Sequence, residues 1–575
     1  MPIRILPKSF FFQGAALLAI LLDIVGLGFA QTVDVDVSSR PEVVKERARK
    51  EIEKKKEPSE KEPQIQPPPE APLPTAPQGP SLLLRQVILK GNTVRSSAQL
   101  DFLIAPYRNR QVTVQQLQDL AQAIQREYRS RGYLTTVAFV PPQQIEEGRV
   151  VIQVLEGRLG ELIIEGQRYF SATQIRREWP LRMGEVLRYQ PMRRSLQRMN
   201  ANPDRKVQAL LRPGETTGTT NVVLKVQDRF PGHAGVFLDN EGTKSIGKDR
   251  AGWTIKYDNL FGRDHAVTLG MVGGRHFGAG FAQYDVPIGS AGTRVALSAT
   301  HSQVSPRRQF KPFGVNGTSE TYTAAVTQPL IVQDSVHLNL RAALDFLESR
   351  TKVLSEPSRR ERLRVVRLES DVRLTDSNGT WTLGPELSFG IKGLGASSEH
   401  NPMASRTGAP PNFAKFRCDV TRAQRLPGST QLIVSILGQL SGSKLTPQEQ
   451  LYLGGATSVR GYPEGDYLAD QGVVARLDYL VPSYGVPLGW RIPGVKGFLR
   501  DMLRYIFFLD KGYGRLRGAT GTEHVSYNPM GVGVGLLFRE IGGFTLRLEW
   551  GYSIGDRPLT DDSRSAFHFR FQRDF

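Results

Sequence analysis

The segment VHLNLRAALDF (336–346) places Val336, Leu338, Leu340, Ala342, Leu344 and Phe346 on one parity, and His337, Asn339, Arg341, Ala343 and Asp345 on the other. FTLRLEWGY (544–552) repeats the pattern, with Phe544, Leu546, Leu548, Trp550 and Tyr552 alternating with Thr545, Arg547, Glu549 and Gly551. A period of two puts each set on its own face of a β-strand. A water-soluble sandwich alternates in the same way, so the choice rests on the surroundings. From about Phe230 onward, segments of roughly 9 to 11 residues with aromatics near their ends follow one another without a convincing helix. The last carries Phe567, Phe569, Phe571 and Phe575. An outward apolar band around a polar lumen accounts for these features, and the expected fold is a transmembrane β-barrel. At roughly 20 residues per strand plus connection, residues 230–575 hold about 16 antiparallel strands.

Composition excludes other classes. The chain has 575 residues, 57 glycines and one cysteine, Cys418. A single thiol rules out an intramolecular disulfide, a multi-cysteine zinc site and an iron–sulfur cluster, and Cys418 reads as a packed or lumen-facing residue. Beyond residue 30 no run of about 18 apolar residues can form a membrane helix. The formal net charge of +19 invites a nucleic-acid reading, but the basic residues are dispersed through alternating strands without a binding motif. No nucleic acid is expected; a basic lumen or a surface facing anionic lipid headgroups accounts for the charge. No P-loop, GxSxG or HExxH motif occurs and the eight histidines are scattered, so no enzyme, cofactor or metal is expected.

The N-terminus, MPIRILPKSFFFQGAALLAILLDIVGLGFA, has Arg4 and Lys8 before an apolar run that ends in Gly28-Phe29-Ala30. It reads as a secretory signal peptide over 1–30. Residues 41–57, PEVVKERARKEIEKKKE, place Pro41 and Glu42 at a first helical turn and Lys54-Lys55-Lys56 at the C-terminal end of the dipole. This predicts a short charged helix whose few apolar residues, Val43, Val44, Ala48 and Ile52, suit solvent or a polar cavity better than a dry core. Nine prolines in residues 58–80 make an extended spacer.

From Leu82 to Asp228 a βααββ order occurs twice. The strand LLLRQVILKGN (82–92), helices near Ser97–Ile104 and Val114–Arg131, and the strands TTVAFVP and RVVIQVLEG form the first unit. The strand LGELIIEG (159–166), helices near Ser171–Trp179 and Pro191–Met199, and the strands VQALLRPG and TTNVVLKVQD form the second. ILKGN (88–92) matches IIEGQ (163–167), and VVIQVLEG (150–157) matches VVLKVQD (222–228). Each unit is large enough for a small sheet covered by two helices.

Two motifs stand out from the strand background. LGGATSVRGY (453–462) lies between strands and contains Val459-Arg460-Gly461-Tyr462; Phe508-Leu509-Asp510-Lys511-Gly512 lies inside a strand beginning at Tyr505. An arginine beside a glycine, at a loop tip, can make a bidentate contact with a carboxylate held on a strand. In a partly wet lumen such a pair is a latch of modest energy.

With the paired βααββ units and the terminal Phe575, these motifs resemble the two-partner secretion transporters (TpsB class, the haemolysin-activator/secretion family), relatives of barrel-assembly proteins. The resemblance implies a signal peptide (1–30), an N-terminal segment with a plug helix (31–57), a linker (58–80), POTRA 1 (81–157), POTRA 2 (158–229) and a barrel of about 16 strands (230–575). Val43, Val44, Lys45, Arg47, Ala48 and Ile52 would belong to the plug. VRGY would tip the sixth extracellular loop, folded back into the lumen, with Arg460 paired to Asp510 beside Phe508 and Gly512. The family pattern also has early-barrel DNxG and DNLFG segments, matched by Asp239, Asn240 and Gly242 and by Asp258, Asn259, Leu260, Phe261 and Gly262.

The implied function is an outer-membrane pore of a Gram-negative-type cell, with its POTRA domains in the periplasm. It would pass one large exoprotein, an adhesin, haemolysin or toxin, unfolded to the cell surface without ATP. Outer-membrane lipid, lipopolysaccharide and the barrel-assembly machinery are the other implied partners. The alternative is a barrel-assembly or insertase protein; two POTRA units and the tethered charged helix weigh against it. A simple porin or adhesin leaves the POTRA pair unexplained, and a patatin-linked barrel would need a serine motif that is missing.

Overall fold

The computed structural model describes residues 65–66 and 81–575, apart from residues 290, 334, 494–496, 521–522 and 540–542. The expected signal peptide, the charged helix at 41–57 and most of the proline-rich segment lie outside the described residues. The described residues form two compact units, one built from Gly232–Leu260 and His265–Phe575, the other from residues 65–66 and 81–231 together with Phe261–Asp264.

The larger unit is a closed barrel in which, among the described residues, sixteen long antiparallel strands run from Gly232–Asp239 to Ser565–Asp574. A two-residue piece, Ser526–Tyr527, pairs with the end of the Leu503–Arg515 strand. The first and last strands close the ring through the register Gly235↔Asp574 to Asp239↔Arg570, and backbone bonds between Ala234 and Phe575 extend it. The 16-stranded antiparallel barrel expected from the alternation is therefore the fold. No described helix is long and apolar enough to cross a membrane; among the described residues the only α-helix in this unit is the single turn Leu499–Met502.

The distribution of polarity is inverted relative to a water-soluble sandwich. Leu340, Trp381, Trp550 and Phe567 are exposed on the outside, whereas Asp345, Glu361, Asp510 and Glu549 are buried within. An apolar exterior on this scale is stable only against hydrocarbon. Three consecutive strands, Asn316–Val332, Val336–Val353 and Glu356–Asp376, have 17, 18 and 21 residues. They exceed the roughly 9 to 11 residues that a tilted strand needs to cross the bilayer, so they extend past it. Cys418 was expected to be packed or to face the lumen. It shares the parity of exposed Phe416, while its neighbour Lys415 points inward to a buried carboxylate, so the thiol lies on the outer face.

The smaller unit contains the two βααββ repeats. In the first, Gln86–Lys90 pairs in parallel with Arg149–Leu155, which pairs antiparallel with Val137–Phe139. In the second, Arg158–Glu165 pairs in parallel with Thr219–Asp228, which pairs antiparallel with Arg205–Pro213. The helices Ser97–Ile104 and Val114–Ser130 begin with capping boxes at Ser96 and Thr113. Leu120, Ile124 and Tyr128 pack on Ile152 and Val154. The second core gathers Ile175, Met192, Leu196 and Met199 against Val207, Val222 and Leu224.

The repeat extends to single residues. Gly91 and Gly166 both have left-handed φ values, 85° and 87°, and a Cβ there would lie 2.3 Å from the Val154 carbonyl and 2.5 Å from the Val226 carbonyl. Only glycine fits such a crossing. The next loop is held each time by a carboxylate from the last strand's end: Glu156 accepts the Val94 N–H at 2.8 Å, and Asp228 accepts those of Tyr169 and Phe170 at 2.7 and 3.0 Å. Glu156 also accepts the Tyr128 hydroxyl at 3.0 Å; burial, then that carboxylate, raise the phenol above its ordinary range and keep it a donor.

One expectation changes. LLLRQVILKGN is not one strand but two, Leu82–Leu84 and Gln86–Lys90. The first pairs with the extra short strand Arg110–Val112, and the break at Arg85 forms where the Arg85 and Gln86 N–H groups both donate to the Gly148 carbonyl.

Candidate functional site: the lumenal loop and its barrel wall

The connection between the strands Gln431–Ser441 and Gln471–Pro482 folds into the barrel instead of away from it. It contains a small hairpin, Leu451–Leu453 with Tyr467–Ala469, whose tip is the VRGY segment. Val459, Tyr462, Tyr467 and Leu453 are buried in an apolar cluster with Val474, Leu516 and Tyr527. Gly454, Gly455 and Gly461 take left-handed φ values that turn the chain sharply enough to return it.

Arg460 is completely buried. Its Nε and Nη2 donate to the two oxygens of Asp510 at 2.6 and 2.6 Å, and its backbone N–H adds a third bond to the same carboxylate at 3.0 Å. Nη2 also reaches Asp478 at 2.5 Å and Nη1 reaches Glu549 at 2.5 Å. The guanidinium stacks over the Phe508 ring, 3.7 Å from its centroid. Arg547 bridges Asp478 and Glu549 from the wall at 3.0 and 2.7 Å, and Arg476 lies 3.7 Å from Asp510. Three guanidinium groups thus face three carboxylates. The structure brings VRGY together with Phe508, Asp510 and Gly512, but the modest two-residue latch is in fact part of a six-charge cluster in which Arg460 and Asp510 are fully buried and Arg476 and Arg547 stay partly exposed. Withdrawing one partner from such a cluster leaves buried charge uncompensated, at a cost of about 3–5 kcal/mol.

The wall is shaped to receive the tip. Gly531, Gly533 and Gly535 follow one another on one face of the Met530–Arg539 strand, and Gly551 lies opposite Gly533. A Cβ on Gly531 would fall 1.9 Å from the Arg460 carbonyl oxygen, and one on Gly551 would fall 2.6 Å from the Gly461 nitrogen. The missing side chains form a trough in which the backbone of residues 460–461 lies directly on the sheet. Tyr462 closes the far end, its hydroxyl donating to the Asp556 carbonyl at 2.8 Å and accepting the Met530 N–H at 3.1 Å.

Three further anchors hold the rest of the loop. Glu449 accepts from Arg367 at 2.6 Å and from Lys415 at 2.5 Å. Asp470 accepts from Arg406 at 2.7 Å and from the Leu445 and Arg517 N–H groups at 2.9 and 2.7 Å. Asp466 accepts from the Tyr527 hydroxyl at 2.6 Å and the Thr560 N–H at 2.8 Å. Sequence reading missed these anchors, together with Asp478, Glu549 and the glycine trough. The period-two glycines of MGVGVG were the available signal, since glycines repeated on one strand face mark close backbone approach.

The two early-barrel motifs lie elsewhere. Asp239 is buried against Arg250, with contacts of 2.7 and 2.9 Å, and Gly242 turns where a Cβ would meet the Gly247 carbonyl at 2.1 Å. Asn240 sits at the closing seam, donating to the Phe567 carbonyl at 2.8 Å and accepting the Phe569 N–H at 2.9 Å. Asp258, Asn259 and Leu260 end the second strand, with Asp258 paired to Lys256 at 2.5 Å. Phe261 and Gly262 follow in a turn with φ of 61° and 66°.

Over residues 218–536 the sequence matches the family described as haemolysin secretion/activation protein ShlB/FhaC/HecB, which is more than half of the chain. The chain belongs to that family. Residues 82–157 match the ShlB-type POTRA domain. The outer membrane transporter CdiB of Dickeya dadantii (strain 3937) is 26% identical over 426 residues, covering 72% of this chain and 74% of the relative. The heme/hemopexin transporter protein HuxB of Haemophilus influenzae (strain 86-028NP) is 22% identical over 498 residues, covering 84% and 85%. Among solved structures, CdiB from Escherichia coli superposes with a TM-score of 0.68 at 19% identity, covering 92% of this chain and 98% of that one.

As a ShlB/FhaC/HecB-family protein the chain is an outer-membrane transporter of the two-partner secretion class, with a membrane-spanning barrel and periplasmic POTRA structure. POTRA-bearing transporters of this class bind a cognate exoprotein. In this ShlB/FhaC/HecB barrel the surroundings of the buried arginine supply a fixed position for the inward loop.

Proposed function

We propose that the chain moves one large exoprotein, in unfolded form, from the periplasm through the barrel lumen to the cell surface, where folding gives the movement its direction. The observation that supports this reading most directly is the lumenal loop held by Arg460 on the glycine trough. A loop fixed at its tip and at three other points is a permanent lining of the lumen, and opening the route falls to a different element. That element is the charged helix at 41–57, with Val43, Val44, Lys45, Arg47, Ala48 and Ile52 on it and a proline-rich tether that lets it leave. The POTRA pair receives the client by adding an extended segment to a sheet edge. Outer-membrane lipid and lipopolysaccharide surround the barrel's apolar belt, and the barrel-assembly machinery inserts it. No step requires a nucleotide or a bond-making reaction.

Quantitative proteomics of culture supernatant and outer membrane, from cells with and without the chain, tests this reading. Loss of one or two very large exoproteins from the supernatant, with other barrels unchanged, is the expected result. Joint depletion of many barrels would identify an assembly factor instead. Deleting residues 41–57 should raise single-channel conductance in planar bilayers; unchanged conductance removes the plug role from that segment.

A further inference from the structure

The sheet of the second α+β unit contains a strand that does not come from that unit. Ile65–Gln66, from the proline-rich segment, pairs in parallel with Ala209–Leu210 on the outer edge of the strand Arg205–Pro213. The Ile65 side chain packs against the core built from Val207, Ala209 and Leu211. An extended segment with an aliphatic residue is therefore already seated on this edge, with one orientation and one register.

Both ends of the edge are closed by other means. At one end the Asn200 side chain takes the place of a neighbouring strand, accepting the Val207 N–H at 2.6 Å and donating to its carbonyl at 3.0 Å. At the other end Pro213 has no N–H to offer. The stretch between them is a short slot, and among the described residues Ile65–Gln66 is the only strand paired there. The strand carries Lys206 and Arg212 on the face away from its core residues Val207, Ala209 and Leu211, and the helix Tyr189–Met199 on the core side carries Arg193, Arg194 and Arg198. Between the Lys54-Lys55-Lys56 run and Ile65, the chain carries Glu57, Glu60 and Glu62 against Lys61, an acidic balance over residues 57–64. A two-residue parallel pairing is weak by itself, but in cis it benefits from an effective concentration of the order of millimolar.

We infer that this edge is an exchange site: Ile65–Gln66 occupies it in the resting chain, and an extended segment of the secreted protein, acidic and with an aliphatic residue in the place of Ile65, docks by displacing it. The inference rests on the reading that the periplasmic units receive the client. It adds where the client docks and what it must displace, so that client arrival and release of the tether are one event.

The probe is a fluorescent peptide copying residues 57–72, added to the purified full-length chain in detergent. Ile65→Asp alters only the tether and empties the slot, so the peptide should bind that variant roughly 10-fold tighter than wild type, the cis competitor being gone. Ala209→Pro on the Ile65→Asp background should abolish binding; Ala209→Asp, which keeps the backbone N–H and replaces the apolar seat, should weaken it, so the inference does not hang on one substitution. Equal binding to wild type and Ile65→Asp, or binding that both edge variants retain, overturns it. In cells, an Ile65→Cys/Ala209→Cys pair on a Cys418→Ser background would lock the tether in the oxidising periplasm. Export of the large exoprotein should stop with the disulfide formed and return on reduction of the same protein. Normal export through a verified cross-link overturns the exchange while leaving the transporter reading intact. Failure of the wild-type chain to export any exoprotein would instead overturn that reading.

Discussion

Asn240 lies against Phe569 as the next residue of a strand would: its side-chain oxygen accepts the Phe569 N–H at 2.9 Å and its own N–H donates to the Phe569 carbonyl at 3.3 Å. The side chain thus adds a rung to the seam where the first and last strands meet, just beyond the last regular pair, Asp239↔Arg570. Asn240→Ala removes two side-chain hydrogen bonds, worth about 1–3 kcal/mol together. The expected outcome is a lower temperature for loss of heat-modifiable mobility on cold SDS gels. An unchanged transition would mean that the seam does not depend on this amide.

Arg460→Ala leaves Asp478, Asp510 and Glu549 without the cation they share. Export should fall at least about 10-fold while the barrel still inserts, with a stability loss of about 3–5 kcal/mol. Arg460→Lys should not restore export, because an ammonium cannot make the paired contact to Asp510 while reaching two further carboxylates. In a double-mutant cycle with Asp510→Ala the two losses should be far from additive; additive losses would disprove the coupling.

Gly531→Ala tests the trough. Its new methyl would meet the Arg460 carbonyl, a backbone atom with no freedom to move aside, so the loop tip must lift. Proteolysis within residues 454–465 should accelerate, and channel noise should increase. Gly438→Ala is the control, since a Cβ there meets nothing within 4 Å.

Glu156→Ala should loosen the first α+β unit by about 1–3 kcal/mol, because it orphans the Tyr128 hydroxyl and frees the Val94 loop. The readout is faster proteolytic nicking near residues 92–96 in the full-length chain, with the barrel's heat modifiability unaltered. Slower or unchanged nicking would show that the carboxylate does not hold the loop.

The barrel was legible because lipid imposes one rule on every strand, and residues 336–346 and 544–552 obey it residue by residue. The βααββ repeats were legible for a related reason: Gly91 and Gly166 have no substitute at a strand crossing, so ILKGN and IIEGQ keep the same shape. The partners of Arg460 were less so. Asp510 stood out within a motif, but Asp478 and Glu549 look like any inward-facing charge until barrel closure places their strands beside one another. The break at Arg85 was hidden because Leu82–Lys90 is apolar enough for one strand, and only the distant Gly148 carbonyl divides it. Nothing in a proline-rich stretch marks Ile65 as a strand residue; its pairing depends on an edge more than a hundred residues away.

Seating Ile65 also sets a length. A polypeptide spans at most about 3.5 Å per residue, so with Ile65 on the edge the chain back to Glu57 can extend no farther than about 28 Å from it. In the exchange inferred above, the nearest anchor among the described residues becomes Leu82, and the same residue can range over about 88 Å. In that exchange a two-residue pairing would act as the clasp on a leash, its release trebling the radius open to Glu57.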